Sequence, residues 1–374
     1  MTDYVVIAHC GRSLAASAHR AAYRVHVIDC FADEDTKLVS NSTHQVDFLD
    51  DAFDESVLLD KVSTLGSCLS DMVLVLGAGF EKRTELIDKL ADIAPVLSNS
   101  KSTIDTLKDP GSLYNLLSKA SITTPDISST RPTAIKDWLI KQSAATGGAH
   151  VQWASQVKAD PVPDSYYQKY ISGTTSSAVF LAMKTHAKIV GYNEQLQSDQ
   201  FAEMPFLYKG VISRLSVENK EKQRIEEIVN KITSQTRLLG LCGIDYIVDD
   251  TGEIYVLEIN PRPPSSFDLY EQQVSLFDLH IGCFEGRKID YKYRQADTAK
   301  GYVIFYAKHE VRIDETIVWP SWVKDKPCFA TVIKAKYPVC SIHAEADSIV
   351  KVKADLENKL NHIETMLMAQ QHAA

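Results

Sequence analysis

Two carboxylates and an amide fall within one short stretch beyond the middle of the chain. Residues 243–262 read GIDYIVDDTGEIYVLEINPR, in which two β-rich runs flank the turn-forming cluster DDTG. This pattern predicts a β-hairpin. A turn centred between Thr251 and Gly252 places Asp245 directly opposite Glu258 on the two strands.

The apolar residues of the hairpin support this register. The same turn pairs Ile247 with Val256 on the carboxylate face, and it gives three pairs on the other face: Ile244 with Ile259, Tyr246 with Leu257, and Val248 with Tyr255. A slip of one residue would move every side chain to the opposite face. We therefore expect the two carboxylates to face each other, with Asn260 following two residues after Glu258.

Facing carboxylates indicate a bound cation, because like charges directly across a strand pair are destabilising. Asp245, Glu258 and Asn260 offer the oxygen ligands of a hard cation such as Mg²⁺, which also keeps positions for water and substrate phosphates. Arg262 adds a forked donor suited to phosphate. The alternative is a surface hairpin whose acidic groups face water. The amide, the arginine and the proline-rich exit favour the metal site.

The segments before the hairpin alternate between strand-like and helix-like patterns. Over residues 1–98, apolar runs at 4–8, 24–28 and 72–76 are separated by helical stretches. This alternation predicts a parallel α/β layer. Glycines follow two of the strands, but neither turn completes the G-x-G-x-x-G pattern of dinucleotide-binding proteins. An NAD-dependent enzyme is therefore the weakest alternative.

The rest of the chain is expected to hold antiparallel strands and two well-marked helices. Asp109 and Pro110 predict a helix start. A later amphipathic helix is expected to begin near Ser216 and to end at Gly240. Strands are expected at 137–141, 151–154, 166–171, 178–183 and 188–192, and a terminal helix at 354–366.

Composition excludes several classes of protein. Forty Lys and Arg against 49 Asp and Glu give a net charge of −9 over 374 residues, whereas a general nucleic-acid coat needs a basic surface. The seven cysteines are scattered, which favours reduced thiols over a zinc ribbon or a disulfide framework. No signal sequence or membrane-spanning run is evident. We expect a cytoplasmic protein that binds neither nucleic acid nor membranes.

Asp245, Glu258 and Asn260, the last two in the run LEINPR, resemble the metal-binding signature of the ATP-grasp superfamily. The resemblance implies an α/β protein in which a Rossmann-like parallel-sheet domain precedes an ATP-grasp fold of two α+β subdomains. It also implies ATP and Mg²⁺ as cofactors, with Mn²⁺ as an alternative metal. The expected parts are an N-terminal domain over 1–100, a lid and hinge subdomain over 101–190, a metal-binding subdomain over 191–290 and a small C-terminal α+β module over 291–374.

The resemblance implies roles for residues outside the hairpin as well. Lys141 resembles the lid lysine that contacts ATP phosphates, and Gly147 and Gly148 resemble loop glycines that let the backbone approach them. Lys108 is similar to an earlier nucleotide-contacting lysine. The hinge that reads adenine corresponds to Gln168, Tyr170 and Ile171, in the run YQKYIS. A surface lysine, a plain turn and ordinary strand pairing are the respective alternatives.

The activity that the resemblance implies is ATP-dependent, ADP-forming ligation. A substrate carboxylate is phosphorylated to an acylphosphate, which an amine, or less often a thiol, then attacks. Arg262 and Lys141 are expected to clamp the transferring phosphoryl group. Thr175 stands where related ligases often carry a ribose-binding glutamate, and the lid loop has few glycines. These departures leave a non-catalytic or regulatory ATP-binding protein as the alternative.

A narrower resemblance concerns the substrates. The runs CGRSLAASA near the start and PRPPSSFDLYE after the hairpin are similar to those of ATP-grasp proteins in the tetrahydromethanopterin and methanofuran one-carbon pathway of methylotrophs. This implies glutamate and a tyramine-like amine as substrates. The expected partners are thus a small-molecule carboxylate and an amine, with a homodimer left open.

Overall fold

The N-terminal part of the protein is a parallel α/β layer. The computed structural model describes residues 2–157, 163–198, 200–271 and 274–371. The first strands are β1 Asp3–Ile7, β2 Arg24–Asp29, β3 Ser42–Gln45, β4 Phe48–Leu49, β5 Ala52–Phe53, β6 Met72–Leu76 and β7 Val96–Leu97. The helices between them are α1 Arg12–Arg20, α2 Glu34–Leu38, α3 Glu55–Cys68 and α4 Glu85–Ala91.

Five of these strands form one sheet in the order β3-β2-β1-β6-β7, with every pair parallel. Strand β1 is buried on both faces. Val6 packs with Leu14 of α1 on one side, and Val5 packs with Leu58 of α3 on the other. Coverage on both faces explains why β1 is an unbroken apolar run rather than an alternating one. The predicted parallel layer is confirmed.

A helix pair and a small antiparallel sheet follow. Helix α5 spans Lys101–Lys108 and α6 spans Pro110–Lys119. Asp109 caps α6 as predicted, since its Oδ1 accepts a hydrogen bond from the Ser112 N–H at 2.8 Å. The sheet consists of β8 Ile127–Ser128, β9 Trp138–Gln142, β10 Gln152–Trp153 and β11 Ser165–Lys169, in the order β10-β9-β11-β8. We refer to it as the lid sheet.

The remaining chain builds one large antiparallel sheet of eight strands. The elements are β12 Thr174–Ala182, β13 Ala187–Gln197, β14 Tyr208–Ser213, α7 Asn219–Thr236, β15 Gly240–Val248, β16 Ile254–Asn260, α8 Leu276–Glu285, β17 Ala299–Tyr306, β18 Val311–Arg312, β19 Val323–Lys324, β20 Val332–Ile333, β21 Pro338–Ala346 and α9 Ile349–Gln371. The strand order is β16-β15-β12-β13-β14-β17-β21-β19, while β18 pairs with β20 separately. Helix α7 packs its apolar stripe, including Ile225 and Ile232, under β12 and β15.

Two predicted helix limits are wrong. Helix α7 starts at Asn219 rather than near Ser216, and Arg237 ends it in a left-handed conformation with φ of 59°. Gly240 is instead the first residue of β15. Its φ is +80°, and a Cβ there would lie 2.6 Å from Nδ1 of His280. Close packing against α8 therefore explains this glycine.

The sheets do not divide at the expected domain limits. The predicted limit at residue 190 falls inside β13, whereas the change from the lid sheet to the large sheet lies between β11 and β12. Strands β17, β19 and β21 belong to the same sheet as β15 and β16, so the C-terminal residues continue that sheet. Among the described residues, no helix is long and apolar enough to cross a membrane.

Candidate active site

The hairpin of β15 and β16 places Asp245 opposite Glu258 and Ile244 opposite Ile259. Beyond Asp245 a β-bulge shifts the register, and three predicted pairs are therefore wrong: Tyr246 faces Val256, Ile247 faces Tyr255, and Val248 faces Ile254. Leu257 is the extra residue. The bulge lets Tyr246 and Val256 both be fully buried, while the N–H of Val256 donates to the carbonyl of Thr123 at 2.9 Å.

Two members of the predicted triad, Glu258 and Asn260, contact a cation supplied by the protein. Nζ of Lys108 lies 2.5 Å from Oε1 of Glu258 and 2.7 Å from Oδ1 of Asn260. Both oxygens of Asp245 accept amide hydrogen bonds, one from Gln195 at 2.8 Å and one from Asn260 at 3.1 Å. Sequence reasoning missed Gln195, because it comes from β13 and no local pattern connects it to the hairpin.

The pKa values of the two carboxyl groups shift in opposite directions. Burial, and then the charge of Glu258, raise the pKa of Asp245 to about 7. Burial also acts to raise the pKa of Glu258, but the ion pair with Lys108 outweighs it and the net shift is downward. The Lys108 ammonium group therefore favours the ionised form of Glu258, whose side chain is 41% exposed.

Arg262 is held by a residue of the N-terminal layer. Its Nε donates to Oε1 of Glu81 at 2.8 Å, and the other oxygen of Glu81 accepts from the Gly79 N–H at 2.7 Å. Burial acts to raise the pKa of Glu81, but the charges of Arg262 and Lys108 and the hydrogen bonds from Arg262 and Gly79 together outweigh it, and the pKa falls to about 2. Sequence reasoning missed Glu81, although it directly follows the glycine turn after β6.

Lys141, on β9 of the lid sheet, lines the same cavity as Asp245 and Glu258. Burial lowers its pKa, while the charges of Glu258 and Asp245 act in the opposite direction. Within the described ranges its ammonium group has no hydrogen-bond or ion-pair partner. The lid lysine is thus available to a ligand, in contrast to Lys108.

The two lid glycines have different surroundings. Gly147 and Gly148 have φ of +74° and +75°. A Cβ on Gly148 would lie 2.1 Å from the carbonyl oxygen of Phe206, whereas nothing lies within 4 Å of the corresponding position at Gly147. The carbonyl of Gly147 accepts from the Tyr208 N–H at 2.9 Å. The loop therefore contacts Phe206, just before β14, and is hydrogen-bonded to the first residue of β14.

The predicted hinge residues lie where the chain passes from the lid sheet to the large sheet. Gln168 is in β11 and is 4% exposed. The N–H of Tyr170 donates to the carbonyl of Asp137 at 2.8 Å, and its ring lies 4.8 Å from that of Trp153. Ile171 follows, and Thr175 lies in β12.

One cavity of about 1390 Å³ brings all the predicted site residues together. Within the described ranges, no group of three or more His, Cys, Asp or Glu side chains is placed to hold a metal ion. The hairpin supplies two carboxylates and an amide. The roles of the residues in the cavity stay predictions: Lys108, Lys141, Gly147, Gly148, Gln168, Tyr170, Ile171, Asp245, Glu258, Asn260 and Arg262.

Comparison with known proteins identifies the class. Residues 108–266 match the ATP-grasp domain family. The chain is 23% identical over 302 residues to N5-carboxyaminoimidazole ribonucleotide synthase of Staphylococcus saprophyticus, covering 75% of each protein. Residues 108–266 of this protein are therefore an ATP-grasp domain, and the chain is homologous to those synthases. The family and the fold class predicted from sequence are confirmed.

Solved structures share the fold across nearly the whole chain. The L-amino acid ligase of Bacillus licheniformis superposes with a TM-score of 0.72 at 13% identity, covering 97% of each chain. The biotin carboxylase domain of 2-oxoglutarate carboxylase from Hydrogenobacter thermophilus, solved with MgADP and bicarbonate, gives 0.70 at 12% identity, covering 92% of this chain and 86% of that one. At these identities the likeness shows a shared fold.

Proposed function

We propose that this protein is an ATP- and Mg²⁺-dependent ligase that joins a carboxylate to an amine through an acylphosphate. The observation that supports the proposal most directly is the opposed pair of Asp245 and Glu258, with Asn260 beside it, on the wall of a cavity that also receives three cationic side chains. These are Lys108, Lys141 and Arg262. Phosphoryl transfer requires such a concentration of positive charge around the phosphates.

The oxygen set suits the metal that the family implies. Asp245, Glu258 and Asn260 would hold Mg²⁺, which supplies charge neutralisation for the nucleotide phosphates when bound. The contacts of Lys108 with Glu258 and Asn260 support this assignment, because they place a positive charge between the same oxygens. Asp245, with its raised pKa, is expected to lose its proton when a second cation lies nearby.

The chain's own residues would position the reacting groups. Lys141 and Arg262 clamp the oxygens of the γ-phosphoryl group while the substrate carboxylate attacks the phosphorus and ADP leaves. The buried ion pair with Glu81 fixes the direction of Arg262. The amine then attacks the acyl carbon, and inorganic phosphate leaves. Gly147 and Gly148 allow the loop to close over the phosphates and exclude water.

The adenine pocket and the identity of the substrates are more specific parts of the proposal. Gln168, Tyr170 and Ile171 would form the adenine pocket between the lid sheet and the large sheet. Glutamate and a tyramine-like amine as substrates rest on the sequence resemblance alone. An amide-forming activity is in keeping with the L-amino acid ligase among the structural relatives.

Thermal unfolding with ATP, with Mg²⁺ and with both tests the proposal. At 100 times its dissociation constant, a ligand that binds only the native state adds about 2.7 kcal/mol, which raises the midpoint. We expect a Mg²⁺-dependent rise with ATP in the wild type and its loss in Glu258→Gln. Asp250→Asn is the matched control, because Asp250 is an exposed carboxylate in the turn of the same hairpin.

The outcomes separate the alternatives. A full rise in Glu258→Gln contradicts the metal assignment, and no rise in the wild type contradicts the proposed activity. ADP release is then assayed over a panel of carboxylates and amines that includes glutamate and tyramine. Tight ATP binding without ADP release on any pair would favour the non-catalytic alternative.

A further inference from the structure

A second group of charged residues lines the same cavity, where the N-terminal layer meets the C-terminal strands. Arg12 of α1 lies at its centre. Its Nε is 2.6 Å from Oδ1 of Asp325, and its Nη2 is 3.2 Å from Oδ2 of Asp268. Lys324 pairs with Asp268 at 3.0 Å. Asp35 lies 3.8 Å from Arg12.

Asp33 differs from the other carboxylates of this group. Asp35 accepts hydrogen bonds from the N–H groups of Asp325 and Lys326, and nearby Asp29 accepts three N–H groups of the loop around it. Asp33 is 4% exposed and lines the cavity. Its carboxylate has no hydrogen-bond or ion-pair partner within the described ranges, although Asp33 occupies the N-cap position of α2.

The surroundings of Asp33 carry an excess of negative charge. Five carboxylates, Asp29, Asp33, Asp35, Asp268 and Asp325, outnumber the two cations of this group, Arg12 and Lys324. Burial, and then the charges of Asp325, Asp29 and Asp35, raise the pKa of Asp33 to about 8, while Arg12 acts to lower it. A buried carboxylate without a partner is costly, so the group takes up either a proton or a cation.

We propose that this pocket, defined by Asp33, Arg12 and Asp325, binds the protonated amino group of a substrate, with Asp33 as the carboxylate that receives it. A metal ion fits less well, because it needs several free oxygen ligands and the neighbouring carboxylates are already engaged by N–H groups and cations. The inference rests on the proposed ligase function and specifies its substrate class. The ammonium group belongs either to the attacking amine or to an amino acid that provides the carboxylate.

Isothermal titration of the full-length protein tests the pocket. The probes are tyramine and putrescine, which lack a carboxylate, the standard amino acids, and 4-ethylphenol as the uncharged counterpart of tyramine. We expect at least one ammonium compound to bind in the absence of ATP, and 4-ethylphenol not to bind. Binding of tyramine or putrescine would assign the ammonium group to the attacking amine. Binding of an amino acid alone would assign it to the substrate that provides the carboxylate.

Proton release on binding distinguishes a ligand-binding role of Asp33 from a purely structural one. With its pKa at about 8, Asp33 is mostly protonated near neutral pH, so binding of a cation should release about one proton. Titrations in buffers of different ionisation enthalpy measure this release in the wild type. In Asp33→Asn the release should vanish and the affinity should fall by more than about tenfold. Glu34→Gln, at the adjacent exposed position, should leave both unchanged.

The outcomes of the two proposals are separable. If MgATP raises the unfolding midpoint but no ammonium compound binds, or if Asp33→Asn binds as the wild type does, the pocket assignment is overturned and the ligase function stands. If MgATP gives no rise while a probe binds in an Asp33-dependent way, the ligase function fails and the cation pocket alone remains.

Discussion

The ion pair between Glu81 and Arg262 shows how one residue fixes the direction of another across the molecule. Glu81 is buried in the N-terminal layer, and its two oxygens are occupied by Arg262 and by the Gly79 N–H. Its pKa is about 2, below the ordinary value of 4.5. A carboxyl group with a lowered folded-state pKa stabilises the fold above its unfolded pKa and loses that contribution as the pH falls.

We predict that Glu81→Gln lowers the free energy of unfolding by about 3 kcal/mol near neutral pH. The difference between variant and wild type should shrink as the pH falls from about 5 towards 2. Urea unfolding across this range measures it. Glu85→Gln is the control, because that carboxylate is 50% exposed and should cost less than about 1 kcal/mol. A difference that is constant with pH would contradict the assignment.

Residue types alone could predict part of the candidate site. Asp245, Glu258 and Asn260 stand on two strands joined by a short turn, so their spacing carries the information about their proximity. Gln195 comes from another strand of the same sheet, whereas Glu81 and Asp33 come from loops of the N-terminal layer. Their positions depend on tertiary packing, which no local pattern encodes. The sequence therefore predicts the local triad but not the residues that orient or surround it.

At the scale of elements, the lid loop depends on two glycines that have nearly the same backbone conformation. We predict that Gly148→Ala is more disruptive than Gly147→Ala. Both changes put a side chain at positive φ, which costs about 1 kcal/mol, but only Gly148 faces a backbone oxygen at 2.1 Å. The variant loop must therefore move away from Phe206.

Hydrogen exchange at the amide of Tyr208 reports this movement, since that amide donates to the carbonyl of Gly147. Protection should fall in Gly148→Ala and persist in Gly147→Ala. Equal protection in the two variants would mean that the close contact with Phe206 does not hold the loop. The affinity for MgATP should fall in the same order if the loop covers the phosphates.

The hairpin shows which part of its strand register could not be predicted from the sequence. Turn chemistry gives the correct register at the proposed metal-binding residues but fails between the bulge at Leu257 and the turn. The extra residue is required because Tyr246 and Val256 both enter the core beneath α7. Such a core is assembled from segments far apart in sequence, as is the contact with His280 that explains Gly240.

At the scale of the whole molecule, the cavity exists because three sheets meet around it. The N-terminal layer, the lid sheet and the large sheet all contribute lining residues. Strands β17, β19 and β21 extend the large sheet until it reaches the N-terminal layer. The contact between them runs through Arg12, which pairs with Asp325 and Asp268. This buried cluster connects the first helix to the last strands.

We predict that Arg12→Ala lowers the free energy of unfolding by about 3 kcal/mol, because it removes the cation of Asp325 and one of the two cations paired with the buried Asp268. Arg24→Ala is the control. Arg24 pairs with Asp3 within the N-terminal layer and is 49% exposed, so its loss should cost at most about 1 kcal/mol.

Arg12→Ala should also change how the molecule unfolds. All four tryptophans lie after residue 130, in the lid region and the C-terminal part, whereas far-ultraviolet circular dichroism reports the whole chain. Coincident transitions by both probes indicate cooperative unfolding. If the Arg12 cluster couples the N-terminal layer to the large sheet, the two transitions should separate in Arg12→Ala and coincide in Arg24→Ala. Coincidence in both variants would place the coupling elsewhere in the interface between the sheets.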